Sequence, residues 1–69
     1  MDLSMAPLHQ NFCIQRIRGK DKVIKQLSNM GVQKGKEIMV ISENGGNLVI
    51  RIADTRIAIS KELARKIII

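Results

Sequence analysis

The chain has no tryptophan, no tyrosine and a single phenylalanine, Phe12, and it has one cysteine, one histidine and one proline. Each shortage removes something. One cysteine rules out an intrachain disulfide, so burial must hold the fold unless a metal or an oligomer helps. A lone thiol also suits a reducing compartment. With almost no aromatics, the stacking platforms that hold single-stranded nucleic acid at ~1–3 kcal/mol per base are missing. One histidine leaves the serines and Cys13 without a base and an orienting group, so nucleophilic catalysis has no visible machinery. The six carboxylates are scattered among lysines and arginines, and the chain does not read as an enzyme. No stretch approaches the ~20 apolar residues needed to span a bilayer. No basic start followed by an apolar run marks a signal peptide. The expected localisation is therefore cytoplasmic.

What the chain does have is aliphatic. Its 69 residues hold twelve isoleucines, five leucines and four valines. That length makes one domain, residues 1–69, burying about 60% of its unfolded surface. β-Branched side chains fit a pleated, half-buried surface better than a helix, so the expected core is aliphatic and mostly sheet. Twelve basic residues face six acidic ones, a formal net charge of +6, which favours an anionic partner. The charges are dispersed, so no disordered basic tail is expected.

Residues 1–10 read as a lead-in, with Pro7 and Leu8 covering one end of a barrel. Asn11 to Arg18 reads as a strand whose apolar Ile14 and Ile17 break strict alternation, which a bulge or sharp bend would reconcile. Gly19 breaks that strand and Asp21 is a candidate N-cap. Val23, Ile24, Leu27 and Met30 follow a helical period. Gly31 is placed to end the helix with positive φ, and Lys34-Gly35 to centre a type II turn. Glu37 to Ser42 is a second strand, Asn44-Gly45 a hairpin signal, and Leu48, Ile50 and Ile52 alternate along a third. After a turn at Asp54-Thr55, residues 56–60 alternate again. Ser60-Lys61-Glu62 starts one helical turn, pinned by Leu63 and Ala64, and Lys66 to Ile69 closes as the last strand. Five short strands with tight turns predict a small barrel, because closure hides edges.

The ordered set Ile14-x-x-Ile17-x-Gly19, Leu27-x-x-Met30-Gly31-Val32-x-x-Gly35-x-x-Ile38-x-Val40, Ile57-Ala58-Ile59 and Leu63-Ala64-x-x-Ile67-x-Ile69 resembles the ferrous iron transport protein A (FeoA) family over nearly the whole chain. Lys34 stands where that family often has proline, and Met30 where it usually has leucine. The resemblance implies a mostly β fold: a five-stranded SH3-like barrel with a helix inserted after the first strand and a short helical turn before the last. It also implies an accessory protein of ferrous iron uptake that docks on the membrane GTPase transporter FeoB and modulates it. Such a partner would place the chain peripherally at the inner face of the cell membrane. The family is associated with transition metals but brings no catalytic, cofactor or fixed metal-ligand motif, and none is assigned here.

His9 and Cys13 are the only soft metal ligands, too few in one chain for a site that takes three or four, unless a carboxylate or a second copy of the chain adds ligands to a shared metal. Cys13 reads as a small apolar filler and His9 as a surface residue. Gly31-x-x-x-Gly35 leaves a helix where a phosphate loop opens one, so Gly19, Gly31, Gly35 and Gly45 are structural turn residues. The partner-facing candidates are Arg16, Arg18, Lys20, Lys22 and Lys25, as one basic patch, with Met39 and Val49 as apolar contact area. Near an anionic bilayer each basic residue contributes about 1 kcal/mol. The alternatives are a nucleic-acid-binding small barrel, favoured by charge and opposed by aromatic poverty, and a stand-alone relative of the SH3-like domain of iron-dependent repressors. Ile67-Ile68-Ile69 is apolar at both parities; either the lead-in covers it or it invites weak self-pairing.

Overall fold

The computed structural model describes all of residues 1–69. After a 3₁₀ turn at Leu3–Met5 come β1 (Asn11–Cys13), β2 (Arg16–Ile17), α1 (Asp21–Asn29), β3 (Glu37–Asn44), β4 (Asn47–Ile52), β5 (Thr55–Ser60), α2 (Lys61–Ala64) and β6 (Ile67–Ile68). The strands form two antiparallel sheets, one of order β1-β3-β4-β5 and one pairing β2 with β6. The mostly β expectation holds, with six strands in place of five because the first is split. Its halves join different sheets: Phe12 lies opposite Ile38, while Ile17 lies opposite Ile67. The break falls at Ile14-Gln15, and both backbone groups of Ile14 bond the Gly35-Lys36 corner, Ile14 N–H to Lys36 O and Gly35 N–H to Ile14 O, each at 2.8 Å. The bend predicted from the Ile14–Ile17 spacing is thus a change of sheet. A bulge does occur, but at Ile41, between the Val40–Ile50 and Ser42–Val49 pairs.

The core is aliphatic throughout and contains no buried polar side chain. Ile38 and Val40 from β3, Leu48, Ile50 and Ile52 from β4, and Ile59 from β5 meet Leu27, Val32, Ile14, Ala64, Ile67 and Leu3. α1 ends as a Schellman motif: Val32 N–H bonds Leu27 O and Gly31 N–H bonds Ser28 O, each at 2.9 Å. Gly31 supplies the required φ of +88°, and the accompanying apolar contact is made by Leu27 and Val32, both fully buried. Gly35, at φ +89°, sits third in the turn closed by Lys36 N–H to Gln33 O, as a type II turn requires.

Several local expectations shift. Asp21 is the first helical residue and not the N-cap; that position belongs to Lys20, without a side-chain cap bond. Asp21 instead places its charge on the helix's positive end. The β3–β4 turn centres one residue later than read, on Gly45-Gly46, both at positive φ. The β4–β5 turn centres one residue earlier, on Ala53-Asp54, with Ala53 at φ +52°. The lead-in is anchored by Leu3, fully buried, whereas Leu8 is 47% exposed and Pro7 is exposed. Short-range pattern does not tell which leucine enters the core. That choice follows from the Asp2–Ile68 bridge and the Ile69 N–H to Met1 O bond at 2.9 Å, which lay the lead-in along β6. The lead-in therefore flanks the terminal isoleucines.

Candidate functional site

The surface carries three hollows that share no residue. The first, of about 280 Å³, lies between α1 and β2. Its apolar floor is Ile17, Ile24 and Val32, and Arg16 and Lys34 line it as well. Ile24 and Ser28 share a helix face at i, i+4. Ser28 is fixed by Gln33, whose Nε2 donates to Ser28 Oγ at 2.9 Å and reaches Ser28 O at 3.3 Å. The Schellman turn thus sets the cleft wall by placing Gln33 and Lys34 beside α1.

The second hollow, of about 420 Å³, is lined only by Arg18, Glu62, Arg65 and Lys66. Arg18 continues β2 and meets Lys66 across the ladder, its N–H donating to Lys66 O at 2.7 Å. Arg65 is the C-cap of α2, whose start is fixed by Ser60 Oγ accepting from Leu63 N–H at 3.2 Å. The third, of about 210 Å³, lies on the outer face of the larger sheet, where Asn11, Met39, Arg51 and Arg56 are successive cross-strand neighbours.

The seven partner-facing candidates do not all line the same hollow. Arg16 lines the α1 cleft and Arg18 the basic hollow, while Lys20, Lys22 and Lys25 are exposed along the start and outer side of α1 and line neither. Met39 lines the outer-sheet hollow, and Val49, half-buried, sits opposite Ala58 on β5. Sequence reasoning missed Arg65 and Lys66, which only the β2–β6 pairing brings to Arg18, and Lys34, which only the turn brings to Arg16. Cys13 is not a filler: it is exposed, opposite Glu37 at the sheet edge, because β1 turns Phe12 and not Cys13 inward. His9, exposed and at φ +62°, donates its N–H to Val40 O at 2.8 Å. No three of the His, Cys, Asp and Glu side chains converge on one point. The one ion pair joins Lys61 and Glu43 on the surface. No helix is long and apolar enough to cross a membrane.

Two small sheets linked by one bent strand make a small SH3-like fold. The chain belongs to the FeoA domain family, whose model matches residues 1–69, a family of small accessory factors linked to ferrous iron transport. Among solved structures, one described as the iron uptake regulatory protein FeoA is 25% identical, with a TM-score of 0.89 over 97% of this chain and 91% of its own. The zinc-complexed FeoA of Stenotrophomonas maltophilia is described as a prokaryotic SH3 domain protein and candidate ferrous iron transport activating factor. It is 24% identical, with a TM-score of 0.84 over 99% of this chain and 87% of its own. A manganese-dependent transcriptional repressor shares the fold at 13% identity and a TM-score of 0.87, over 97% of this chain and 39% of its own. No curated protein matches the chain by sequence.

Proposed function

We propose that this chain is a cytoplasmic accessory protein of ferrous iron uptake that acts by docking on the GTPase region of the membrane transporter FeoB and modulating it. The observation that carries the reading is a FeoA domain match over residues 1–69. The fold also offers a surface that suits docking. The α1 cleft offers a preformed apolar floor with two cations lining it, the arrangement that gives contact area and electrostatic steering together. Ile17, Ile24 and Val32 are held by strand, helix and turn respectively, so little ordering cost is incurred on docking.

The test is an NMR titration of the labelled chain with the soluble GTPase domain of the transporter from the same organism. Saturable shifts centred on Ile17, Ile24, Val32 and Lys34 are expected, with Ile24→Asp abolishing them. Unchanged spectra at several hundred micromolar partner would overturn the reading.

A further inference from the structure

We infer that the hollow formed by Arg18, Arg65 and Lys66 is a binding site for a phosphate dianion, as inorganic phosphate or a terminal phosphomonoester. Three features converge on it. The first is the cross-strand pair of Arg18 and Lys66. The β2–β6 register runs Arg16–Ile68 and Ile17–Ile67, and the next row, closed by the 2.7 Å bond from Arg18 N–H to Lys66 O, sets two cations opposite each other. Like charges in that position repel, and a bound anion removes the repulsion. Secondly, Glu62 makes no ion pair with any of the three cations, since the chain's one ion pair is Lys61–Glu43. Three cations against one carboxylate leave two positive charges facing solvent in a space of about 420 Å³. Thirdly, Lys66 is half-buried, and its Cδ lies 3.7 Å from where a Cβ on Gly19 would sit. Its stem therefore lies against Gly19, and the ammonium is partly positioned before any ligand arrives.

The ligand class follows from charge and lining. A phosphomonoester carries about −1.5 to −2 at neutral pH, matching the two uncompensated charges, and two guanidinium forks suit its oxygens. A carboxylate, or the diester phosphate of a lipid headgroup or nucleic-acid backbone, brings one negative charge per group. No aliphatic or aromatic residue lines the hollow, so nothing there would hold an acyl chain or stack a base. The site shares no residue with the α1 cleft, and its failure would leave the docking reading untouched.

The experiment is an NMR titration of the full chain with inorganic phosphate at constant ionic strength, repeated with dimethyl phosphate, with a short glutamate peptide and with phosphatidylglycerol vesicles. Saturable shifts at Arg18, Gly19, Arg65 and Lys66 are expected with phosphate, and affinity at least about fivefold weaker for dimethyl phosphate. Arg65→Gln, on an exposed residue, should lower phosphate affinity about tenfold. Arg56→Gln, which removes an equal charge outside the hollow, should leave it within about twofold. Equal losses from both variants would mean diffuse charge and no site. Dimethyl phosphate, the peptide or vesicles binding as tightly as phosphate would overturn the dianion assignment. So would the absence of saturation by tens of millimolar phosphate.

Discussion

Replacing Leu3 with alanine should be among the most damaging changes this chain can suffer, and replacing Leu8 among the mildest. Leu3 is 0% exposed and belongs to the core cluster, whereas Leu8 is 47% exposed. Truncating a fully buried leucine costs ~2.7–5.0 kcal/mol depending on how far the cavity collapses. The lead-in has limited freedom to collapse. Asp2 Oδ1 accepts from Ser4 N–H at 3.0 Å, Ala6 N–H bonds Leu3 O at 3.1 Å, and Met1 O accepts from Ile69 N–H. We therefore expect a loss of about 4 kcal/mol, in the upper half of that range. A chain of this length has a total stability of only ~3.5–10 kcal/mol, and the midpoint should fall by about 16–32 °C. Leu8→Ala should cost less than about 1 kcal/mol, because half of its surface is already in water. With no tryptophan in the chain, urea and thermal unfolding are best followed by far-UV circular dichroism. If Leu3→Ala unfolds within 0.5 kcal/mol of the parent, or if Leu8→Ala loses more, the lead-in does not anchor as described.

Three smaller predictions test single local features. Ala53→Gly should stabilise by about 0.5 kcal/mol, since relief of ~1–2 kcal/mol of left-handed strain at φ +52° exceeds the added unfolded-state entropy; loss of stability in the same melts would refute it. Ser60→Ala removes the oxygen that accepts from Leu63 N–H and should cost about 1 kcal/mol, with Ser60→Asp recovering most of it. Cys13→Ser should change stability by less than about 0.5 kcal/mol, and a thiol reagent should label native Cys13 nearly as fast as the urea-unfolded chain, because the side chain is exposed.

Local devices were legible where one residue type alone satisfies the backbone. Gly31 and Gly35 could be placed because positive φ after a helical period and in a type II turn admits little else. The alternation of Leu48, Ile50 and Ile52 was legible because the larger sheet has one buried face, which makes the period visible. The Ile14–Ile17 spacing announced an irregularity but not its nature. Whether a strand bulges or changes sheet depends on partners found only in the folded chain, here Ile38 for β1 and Ile67 for β2. Leu3 and Leu8 look alike in sequence, and so do the parities of Phe12 and Cys13 on a strand of three residues. The candidate site was the least legible part. Arg18 reads as one of a local run with Arg16, Lys20, Lys22 and Lys25, yet it shares its hollow with Arg65 and Lys66, supplied by the turn between α2 and β6 at the far end of the chain.

The bond from Ile69 N–H to Met1 O, with the Asp2–Ile68 bridge beside it, has a topological consequence. Residues 1 and 69 lie side by side, so a few added residues could join them and the ring could be reopened elsewhere, for instance at the exposed Gly45-Gly46 turn. A unit whose ends meet can also be spliced into a longer polypeptide with little disturbance to either.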